Sequence, residues 1–163
     1  MELNQNFWAG RKVLITGHTG FKGGWLTLWL NQLGAQLSGF ALAPDTQPSL
    51  FECASLRQDI DSHLADIRDP ASIAAVVKAT QPEVIFHLAA QPLVRASYAD
   101  PIGTYATNVM GTAHLLDATR QLQRPPAVIV VTSDKCYENR ETTHPYTESD
   151  HLGGHDPYSS SKA

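Results

Sequence analysis

The sequence predicts an α/β protein in which a doubly wound parallel sheet is covered by helices on both faces. Short apolar runs alternate with longer helical patterns along the 163 residues. The short runs are almost continuously hydrophobic, as expected for parallel strands that are buried on both faces. A glycine-rich segment joins the first apolar run to the first long helical pattern, which is where such sheets bind ligands.

Three strands are predicted in the first half of the chain. Residues 12–16 and 36–42 are β-branched or apolar runs, and residues 63–66 form a third run that is short and weak. Residues 21–33 are predicted to form an apolar helix, which ends at a glycine. Residues 43–58 are rich in polar and turn-forming types, so we expect a long loop there.

The second half continues the same alternation. Residues 70–80 are predicted to be a helix, with Asp69 as the N-cap and a proline at the first helical position. Residues 84–88 and 128–132 are apolar strands, and the pattern of residues 102–122 predicts one long helix between them. Parallel strands place their carboxyl ends at one edge of the sheet, so the segments that follow them are the candidate ligand-binding segments.

Composition excludes several classes of protein. With 42% hydrophobic and 17% charged residues the chain fits a globular protein, and its net charge of −4 argues against a nucleic-acid or anionic-membrane surface. The longest aliphatic run, residues 128–131, is too short to span a bilayer. No signal peptide is visible, and Cys53 and Cys136 form no CxxC motif. We therefore expect a cytoplasmic protein with free thiols, in which Cys136 is a small buried hydrophobe.

Residues 16–23 have the pattern of a phosphate-binding loop. Gly17, Gly20 and Gly23 recur at every third position between a strand and a helix. A tight turn with positive φ and a close approach of the backbone to a pyrophosphate both favour glycine, and the helix N-terminus offers free N–H groups to the anion. The sequence therefore predicts a dinucleotide-binding Rossmann domain.

The end of the second strand leaves the choice of dinucleotide open. An acidic residue is usual there to hold the adenosine ribose, but residues 39–43 read Gly-Phe-Ala-Leu-Ala. An arginine that would hold a 2′-phosphate is also missing from this segment. The residues alone therefore do not choose between NAD and NADP. Asp66 and Ile67, after the third strand, could hold the adenine edge, or Asp66 could be a simple turn residue.

Two polar groups predict a catalytic site. Tyr158 and Lys162 are four positions apart, which on a helix places both side chains on one face. A lysine ammonium favours the phenolate form of a nearby tyrosine, so the pair can transfer a proton. Residues 132–135 read Thr-Ser-Asp-Lys directly after the last strand, and a hydroxyl, a carboxylate and an amine there could bind a substrate and move protons. Alone, this second segment could also be a solvated exit from the strand.

Four segments resemble the extended short-chain dehydrogenase/reductase family. They are residues 16–23, 87–90, 108–112 and 158–162, so the resemblance extends over the whole chain. Within the family the chain is most similar to the nucleotide-sugar 4,6-dehydratases, through residues 17–26, 48–52, 89–95 and 132–139.

One residue narrows the resemblance further. Lys135 stands where other nucleotide-sugar dehydratases carry a glutamate, which points to the branch that acts on CDP-linked sugars. The missing acid at the second strand is also typical of that branch. The resemblance therefore implies NAD as the cofactor and CDP-glucose as the substrate.

The resemblance also implies a role for each site residue. Tyr158 would take the proton of the sugar 4-hydroxyl, with Lys162 orienting the nicotinamide ribose. Ser133 would hydrogen-bond the 4-oxygen, Asp134 would protonate the departing 6-hydroxyl, and Lys135 would remove H5. A lysine acts as a base only where burial or a neighbouring cation lowers its pKa. The implied cofactor contacts are Gly17, Thr19, Gly20, Phe21, Lys22, Asp66, Ile67, Leu88, Ala89, Ala90, Thr107, Thr132, Tyr158 and Lys162.

The resemblance sets the expected domain organisation. Residues 1–163 would form an incomplete dinucleotide-binding domain, and the smaller domain that binds the nucleotide sugar would lie outside this chain. A fragment of this kind is expected to have little or no activity. Relatives pair through the long helix and the Tyr158 helix, so a homo-oligomer is expected, although the apolar face of residues 102–122 could equally be core.

Several alternatives stay open. The protein could be another nucleotide-sugar dehydratase or a 4-epimerase, or a non-catalytic NAD(P)-binding regulatory module. His144, His151 and His155 cluster in a polar loop, but a glycine pair separates two of them and we predict no metal site. Trp25 and Trp29 lie one helical turn apart and are expected to be core or helix-contact residues.

Overall fold

The computed structural model describes residues 5–143 and 145–163 and confirms the predicted fold class. Five parallel strands form one sheet in the order β3-β2-β1-β4-β5. The strands are β1 (Lys12–Thr16), β2 (Gln36–Ala41), β3 (Asp61–Leu64), β4 (Val84–His87) and β5 (Ala127–Val130).

Eight helices accompany the sheet among the described residues. They are α1 (Gln5–Trp8), α2 (Phe21–Gln32), α3 (Leu50–Cys53), α4 (Pro70–Thr80), α5 (Val94–Ala99), α6 (Pro101–Tyr105), α7 (Gly111–Arg120) and α8 (Pro157–Lys162). A π-helical turn, Ala106–Met110, joins α6 to α7, and short 3₁₀ turns cover Leu56–Gln58 and Asp134–Cys136.

Side chains on the two faces of β1 enter two separate cores. Val13 and Ile15 face one side, where they pack with Leu30 of α2 and Phe51 of α3. Leu14 faces the other side, in a cluster whose members come from β2, β4, α4 and α7. Successive residues of a strand point to opposite faces, so one apolar strand serves both cores.

Strand order places a ligand crevice at the centre of the sheet. The chain moves outward from β1 to β2 and β3, and then returns to place β4 on the other side of β1. Helices on either side of this reversal diverge, which leaves a crevice outside the carboxyl ends of β1 and β4. The glycine loop, residues 17–23, follows β1 and therefore lies at this crevice.

The structure corrects several predicted elements. Strand β3 begins and ends two residues earlier than predicted, and the long helix predicted for residues 102–122 is divided by the π turn. Helix α3 occupies a segment predicted to be a loop. Its signal was present: Ser49 Oγ accepts from the Glu52 N–H at 3.2 Å, as expected of a serine with a glutamate three residues later. Helices α1 and α5 were also not predicted.

Predictions for individual side chains have mixed outcomes. Asp69 caps α4 by accepting the Ala71 N–H at 3.0 Å, as predicted. Both cysteines are free thiols and Cys136 is buried, also as predicted. Trp25 and Trp29 were predicted to be core or helix-contact residues, and the structure excludes the core because these side chains are 54% and 50% exposed. In the part of the chain that the structure describes, no helix has the length and apolarity needed to cross a bilayer.

Candidate active site

Steric contacts require glycine at two positions of the loop after β1. Gly17 has φ +75°, its N–H donates to the Phe40 carbonyl at 2.8 Å, and a Cβ there would lie 2.8 Å from the Ala89 nitrogen. A Cβ at Gly23 would lie 2.1 Å from the Gly17 carbonyl oxygen. Real Cβ atoms do not approach backbone atoms this closely, so side chains at these positions would displace the loop. The loop is therefore packed directly against the segment that follows β4.

The N-terminus of α2 is open to an anion. Its N-cap, Gly20, provides no side-chain hydrogen bond to the first turn, and a Cβ there would have only the Gly17 oxygen near it, at 3.4 Å. The exposed residues Phe21 and Lys22 begin the helix. Uncapped N–H groups and the positive end of the helix dipole suit a phosphate group, so this loop fits a dinucleotide. Thr19 fixes the loop, since its hydroxyl donates to the Leu42 carbonyl at 2.9 Å.

The two residues predicted to contact the adenine, Asp66 and Ile67, differ in their surroundings. The Asp66 carboxylate accepts from the Arg68 guanidinium at 2.9 Å, and this hydrogen bond lowers the pKa of Asp66 below its usual value. The Ile67 side chain is 5% exposed and packs against Gly111 of α7. An adenine ring at this edge could therefore contact Asp66 by its side chain, but Ile67 only by its backbone.

Helix α8 holds Tyr158 and Lys162 above the strand ends. Asp156 caps the helix by accepting the Ser159 N–H at 3.0 Å, and the Tyr158 N–H donates to Ser97 Oγ of α5 at 3.1 Å. Lys162 Nζ donates to the Val131 carbonyl, just beyond β5, at 3.3 Å. Partial burial of the ammonium lowers the pKa of Lys162. The pair therefore lies at the carboxyl edge of the sheet, where the glycine loop also lies.

The segment after β5, residues 133–135, is more exposed to solvent than Tyr158 and Lys162 of α8. Ser133 Oγ donates to the Asp134 carboxylate at 3.0 Å and accepts the Lys135 N–H at 3.2 Å. Lys135 Nζ lies 3.5 Å from Asp134, and the two side chains are 54% and 76% exposed. The hydrogen bond from Ser133 and then the Lys135 charge lower the pKa of Asp134. The described residues thus leave the Lys135 ammonium exposed beside an anion, rather than buried beside a cation.

Other predicted contacts lie around the same edge. Leu88, Ala89 and Ala90 follow β4, and the N–H groups of Leu88 and Ala89 both donate to Thr16 Oγ1 at 3.1 Å. Thr107 lies in the π turn and is partly exposed, and Thr132 is exposed after β5. The described residues contain no group of three His, Cys, Asp or Glu side chains that could hold a metal, and His144 lies outside them.

Comparison with known proteins establishes the family. The model of the GDP-mannose 4,6 dehydratase family matches residues 14–163. The chain belongs to this family. A CDP-glucose 4,6-dehydratase of Salmonella typhimurium is 52% identical over 160 residues, which cover 98% of the chain and 45% of that relative. A GDP-mannose 4,6-dehydratase of Sordaria araneosa is 32% identical, over 93% of the chain and 28% of that protein.

Solved structures of the wider family share the fold. The UDP-glucose 4-epimerase of Brucella ovis, determined in complex with NAD, superposes with a TM-score of 0.79 and 28% identity. The match covers 94% of this chain and 45% of that protein. The chain therefore spans less than half the length of each of these relatives.

Two buried histidines of this family member were not predicted as part of the site. His18 is fully buried, its Nε2 lies 2.8 Å from Ser62 Oγ, and a Cβ at Gly39 would collide with its ring. His87 is 3% exposed and bonded on both ring nitrogens. Burial is the main cause that lowers the pKa of each to about 4. The sequence signals that could have identified them were a histidine within an apolar strand, His87, and a histidine within the glycine loop, His18.

Proposed function

We propose that the protein containing this chain catalyses the NAD-dependent dehydration of CDP-D-glucose to CDP-4-keto-6-deoxy-D-glucose. The observation that carries this proposal is the 52% identity, over 98% of the chain, to a CDP-glucose 4,6-dehydratase. The placement of Tyr158 and Lys162 at the same carboxyl edge of the sheet as the glycine loop supports it, because oxidation needs a proton acceptor close to the dinucleotide.

In the first step Tyr158, as the phenolate, takes the proton of the sugar 4-hydroxyl. Lys162 favours the phenolate through its charge, and Ser133 hydrogen-bonds the 4-oxygen. A bound nicotinamide dinucleotide would supply the hydride acceptor at C4 and later return the hydride to C6. Gly17, Gly20, Phe21 and Lys22 would hold its pyrophosphate at the N-terminus of α2.

In the second step the 4-ketone makes H5 acidic, and water leaves across C5–C6. Lys135 would remove H5 and Asp134 would protonate the departing 6-hydroxyl. The exposed pair must be covered for this role, since a lysine acts as a base only in a site that excludes water. We therefore propose that a separate substrate-binding domain, outside residues 1–163, completes this part of the site, and that residues 1–163 alone have little or no activity.

A 4-epimerase is the competing function, and the likeness to the Brucella ovis epimerase favours it. Dehydratase and epimerase share the oxidation at C4, so the Tyr158 pair does not separate them. The elimination needs an acid and a base near C5 and C6, which an epimerase does not. Asp134 and Lys135 are therefore the residues that support the dehydratase.

The deciding experiment uses the full-length protein with NAD and, separately, CDP-glucose, dTDP-glucose, UDP-glucose and GDP-mannose. We expect a 4-keto-6-deoxy product, detected by mass spectrometry, from CDP-glucose alone. Product from another nucleotide sugar would keep the mechanism and reject the CDP-sugar assignment. Epimerised sugar without loss of water would establish the epimerase, and NAD binding with no turnover of any sugar would support a regulatory module.

A tyrosine substitution tests the first step. Tyr158→Phe removes the phenol but keeps the ring, so we expect turnover to fall about 10²–10⁴-fold with NAD affinity nearly unchanged. Tyr98→Phe is the matched control, because Tyr98 is 65% exposed on the neighbouring helix α5. Equal turnover in Tyr158→Phe and the unmodified protein would remove Tyr158 from the proton transfer.

The proposal also covers the cellular location of the protein and its assembly into oligomers. We propose a cytoplasmic homo-oligomer that binds neither nucleic acid nor membrane. Ile102, Val109, Met110 and Leu116 on the helices from α6 to α7 are 41–81% exposed, which supports a subunit contact there. Analytical ultracentrifugation of the full-length protein tests this, and a monomer at micromolar concentration would reject it.

A further inference from the structure

His87 lies at the centre of a series of hydrogen bonds that joins the end of β1 to helix α7. Its Nδ1 lies 2.7 Å from Thr16 Oγ1. That hydroxyl oxygen accepts the Ala89 N–H at 3.1 Å, and the Leu88 N–H lies 3.1 Å from both this oxygen and the Thr16 carbonyl oxygen. With N–H groups directed at its lone pairs, the Thr16 hydroxyl is best placed to donate its own proton to His87 Nδ1. This side of the ring therefore favours Nδ1 as the acceptor.

The other side of the ring gives the same answer independently. His87 Nε2 lies 2.9 Å from Thr112 Oγ1, and that hydroxyl donates to the Asn108 carbonyl at 2.6 Å. Because a carbonyl can only accept, the Thr112 proton is committed and its oxygen must accept from Nε2–H. Both sides thus select the neutral ring with its proton on Nε2.

Asn108 carries the series on to the catalytic helix. Its Oδ1 accepts the Gln91 N–H at 2.8 Å, which fixes the orientation of the amide, and its Nδ2 donates to Ser161 Oγ at 2.8 Å. Ser161 donates in turn to the Tyr158 carbonyl at 2.7 Å. Asn108 and Ser161 are 5% and 8% exposed, so little water competes for these hydrogen bonds.

From these contacts we infer that His87 is a positioning residue, which couples the glycine loop after β1 to helix α8, the helix that bears Tyr158 and Lys162. The coupling runs through the His87 relay, defined as Thr16, His87, Thr112, Asn108 and Ser161. Thr16 is the last residue before the glycine loop, and Ser161 lies between the two catalytic residues. The inference rests on the proposed function only for the roles of Tyr158 and Lys162.

The surroundings of His87 keep the relay in one state. Burial, and then the positive charge of Lys162, lower the pKa of His87 to about 4. A protonated ring would place an N–H against Thr16 Oγ1, which already accepts the Ala89 N–H. The neutral ring therefore persists near neutral pH, and the relay links α8 to the ends of β1 and β4 in a single arrangement.

The first test measures the tautomer of His87 directly. Two-bond ¹H–¹⁵N correlation spectra of the labelled chain at pH 7 should show a protonated Nε2 and an unprotonated Nδ1. A proton on Nδ1, or a mixture of tautomers, would overturn the relay, since the directions of at least two hydrogen bonds would then be wrong. This measurement needs no variant and no turnover.

The second test measures coupling with ADP as the probe, because ADP can occupy the glycine loop without the nicotinamide half that would touch Lys162 directly. We expect ADP to slow hydrogen exchange of the Ser161 and Lys162 amides in the unmodified chain. In Thr112→Val this protection should fall about three- to tenfold, the range expected for one lost hydrogen bond. Thr112→Ser, which keeps the hydroxyl, should restore it.

Thr119→Val is the matched control on the same helix. The Thr119 hydroxyl also donates to a helical carbonyl, that of Leu116 at 2.7 Å, but it does not reach His87. ADP protection of α8 in this variant should equal that of the unmodified chain. Equal protection in Thr112→Val and Thr119→Val, with ADP bound to both, would overturn the inference. Loss of dehydratase activity would not overturn the inference, because neither the tautomer measurement nor the hydrogen-exchange measurement depends on turnover.

Discussion

Strands β1 and β5 are both apolar runs followed by polar site residues, but their surroundings differ. In β1, the four residues from Val13 to Thr16 are buried, and the loop beyond it packs against Ala89. In β5, the last strand of the described sheet, Ile129 and Val130 are 41% and 38% exposed, and the side chains of residues 133–135 beyond it bond to one another. The described chain therefore fixes the proposed dinucleotide side of the site more firmly than the proposed substrate side.

This difference separates two ways of holding a functional group. The glycine loop is positioned by backbone contacts with a neighbouring strand end, which tolerate little change. The Ser133–Lys135 segment is positioned by local side-chain bonds in solvent, which are individually weak. Substitutions in the two regions should therefore differ greatly in their effect on stability.

The largest effect is expected at Gly23. In Gly23→Ala the new methyl group would lie 2.1 Å from the Gly17 oxygen, so we expect a loss of more than about 3 kcal/mol in the free energy of unfolding. Gly20→Ala is the control, because its Cβ would meet only the Gly17 oxygen at 3.4 Å, with φ −78°. Urea denaturation measures both. A similar small loss in the two variants would contradict the rigid packing of the loop.

An intermediate effect is expected from pH, through the buried histidines beside the same loop. The pKa of His18 and of His87 is lowered from 6.5 to about 4. Between these values the unfolded chain binds a proton that the folded chain does not, so stability falls as the pH falls from 6.5 towards 4. The slope should reach about 1.4 kcal/mol per pH unit for each histidine.

Denaturation curves at pH 7.0, 6.0 and 5.0 measure this slope, above the range in which carboxylates titrate. His18→Gln should reduce the slope by about half, whatever its effect on stability at pH 7. A slope that is the same in the variant would show that His18 accepts a proton in the folded chain as readily as in the unfolded one.

The smallest effect is expected after β5. Asp134→Ala removes an exposed pair with Lys135, and we expect no measurable change in the denaturation midpoint. Asp156→Ala is the matched comparison, since Asp156 accepts the Ser159 N–H at the start of α8 and its loss should cost about 1 kcal/mol. A larger loss in Asp134→Ala than in Asp156→Ala would mean that the segment after β5 is structurally fixed after all.

Local patterns predicted much of the fold. The alternation of apolar runs and helical patterns located all five strands to within about two residues, and Asp69 with Pro70 located the start of α4. The glycine spacing predicted the loop after β1, and the Tyr158 and Lys162 spacing predicted two residues of one helix at the sheet edge. These signals are local, because they depend on strand and helix periods and on backbone conformations that only glycine adopts freely.

Tertiary contacts decided the remaining features. The π turn that divides the long helix, the burial of Ile67 and the exposure of Trp25 depend on which elements pack together. The direction of the His87 relay depends on hydrogen bonds between residues 71 and 25 positions apart. The sequence by itself determined which elements form and where polar groups follow them. Only the tertiary structure decided which of those groups are buried and bonded, because burial and hydrogen-bond partners are properties of distant neighbours.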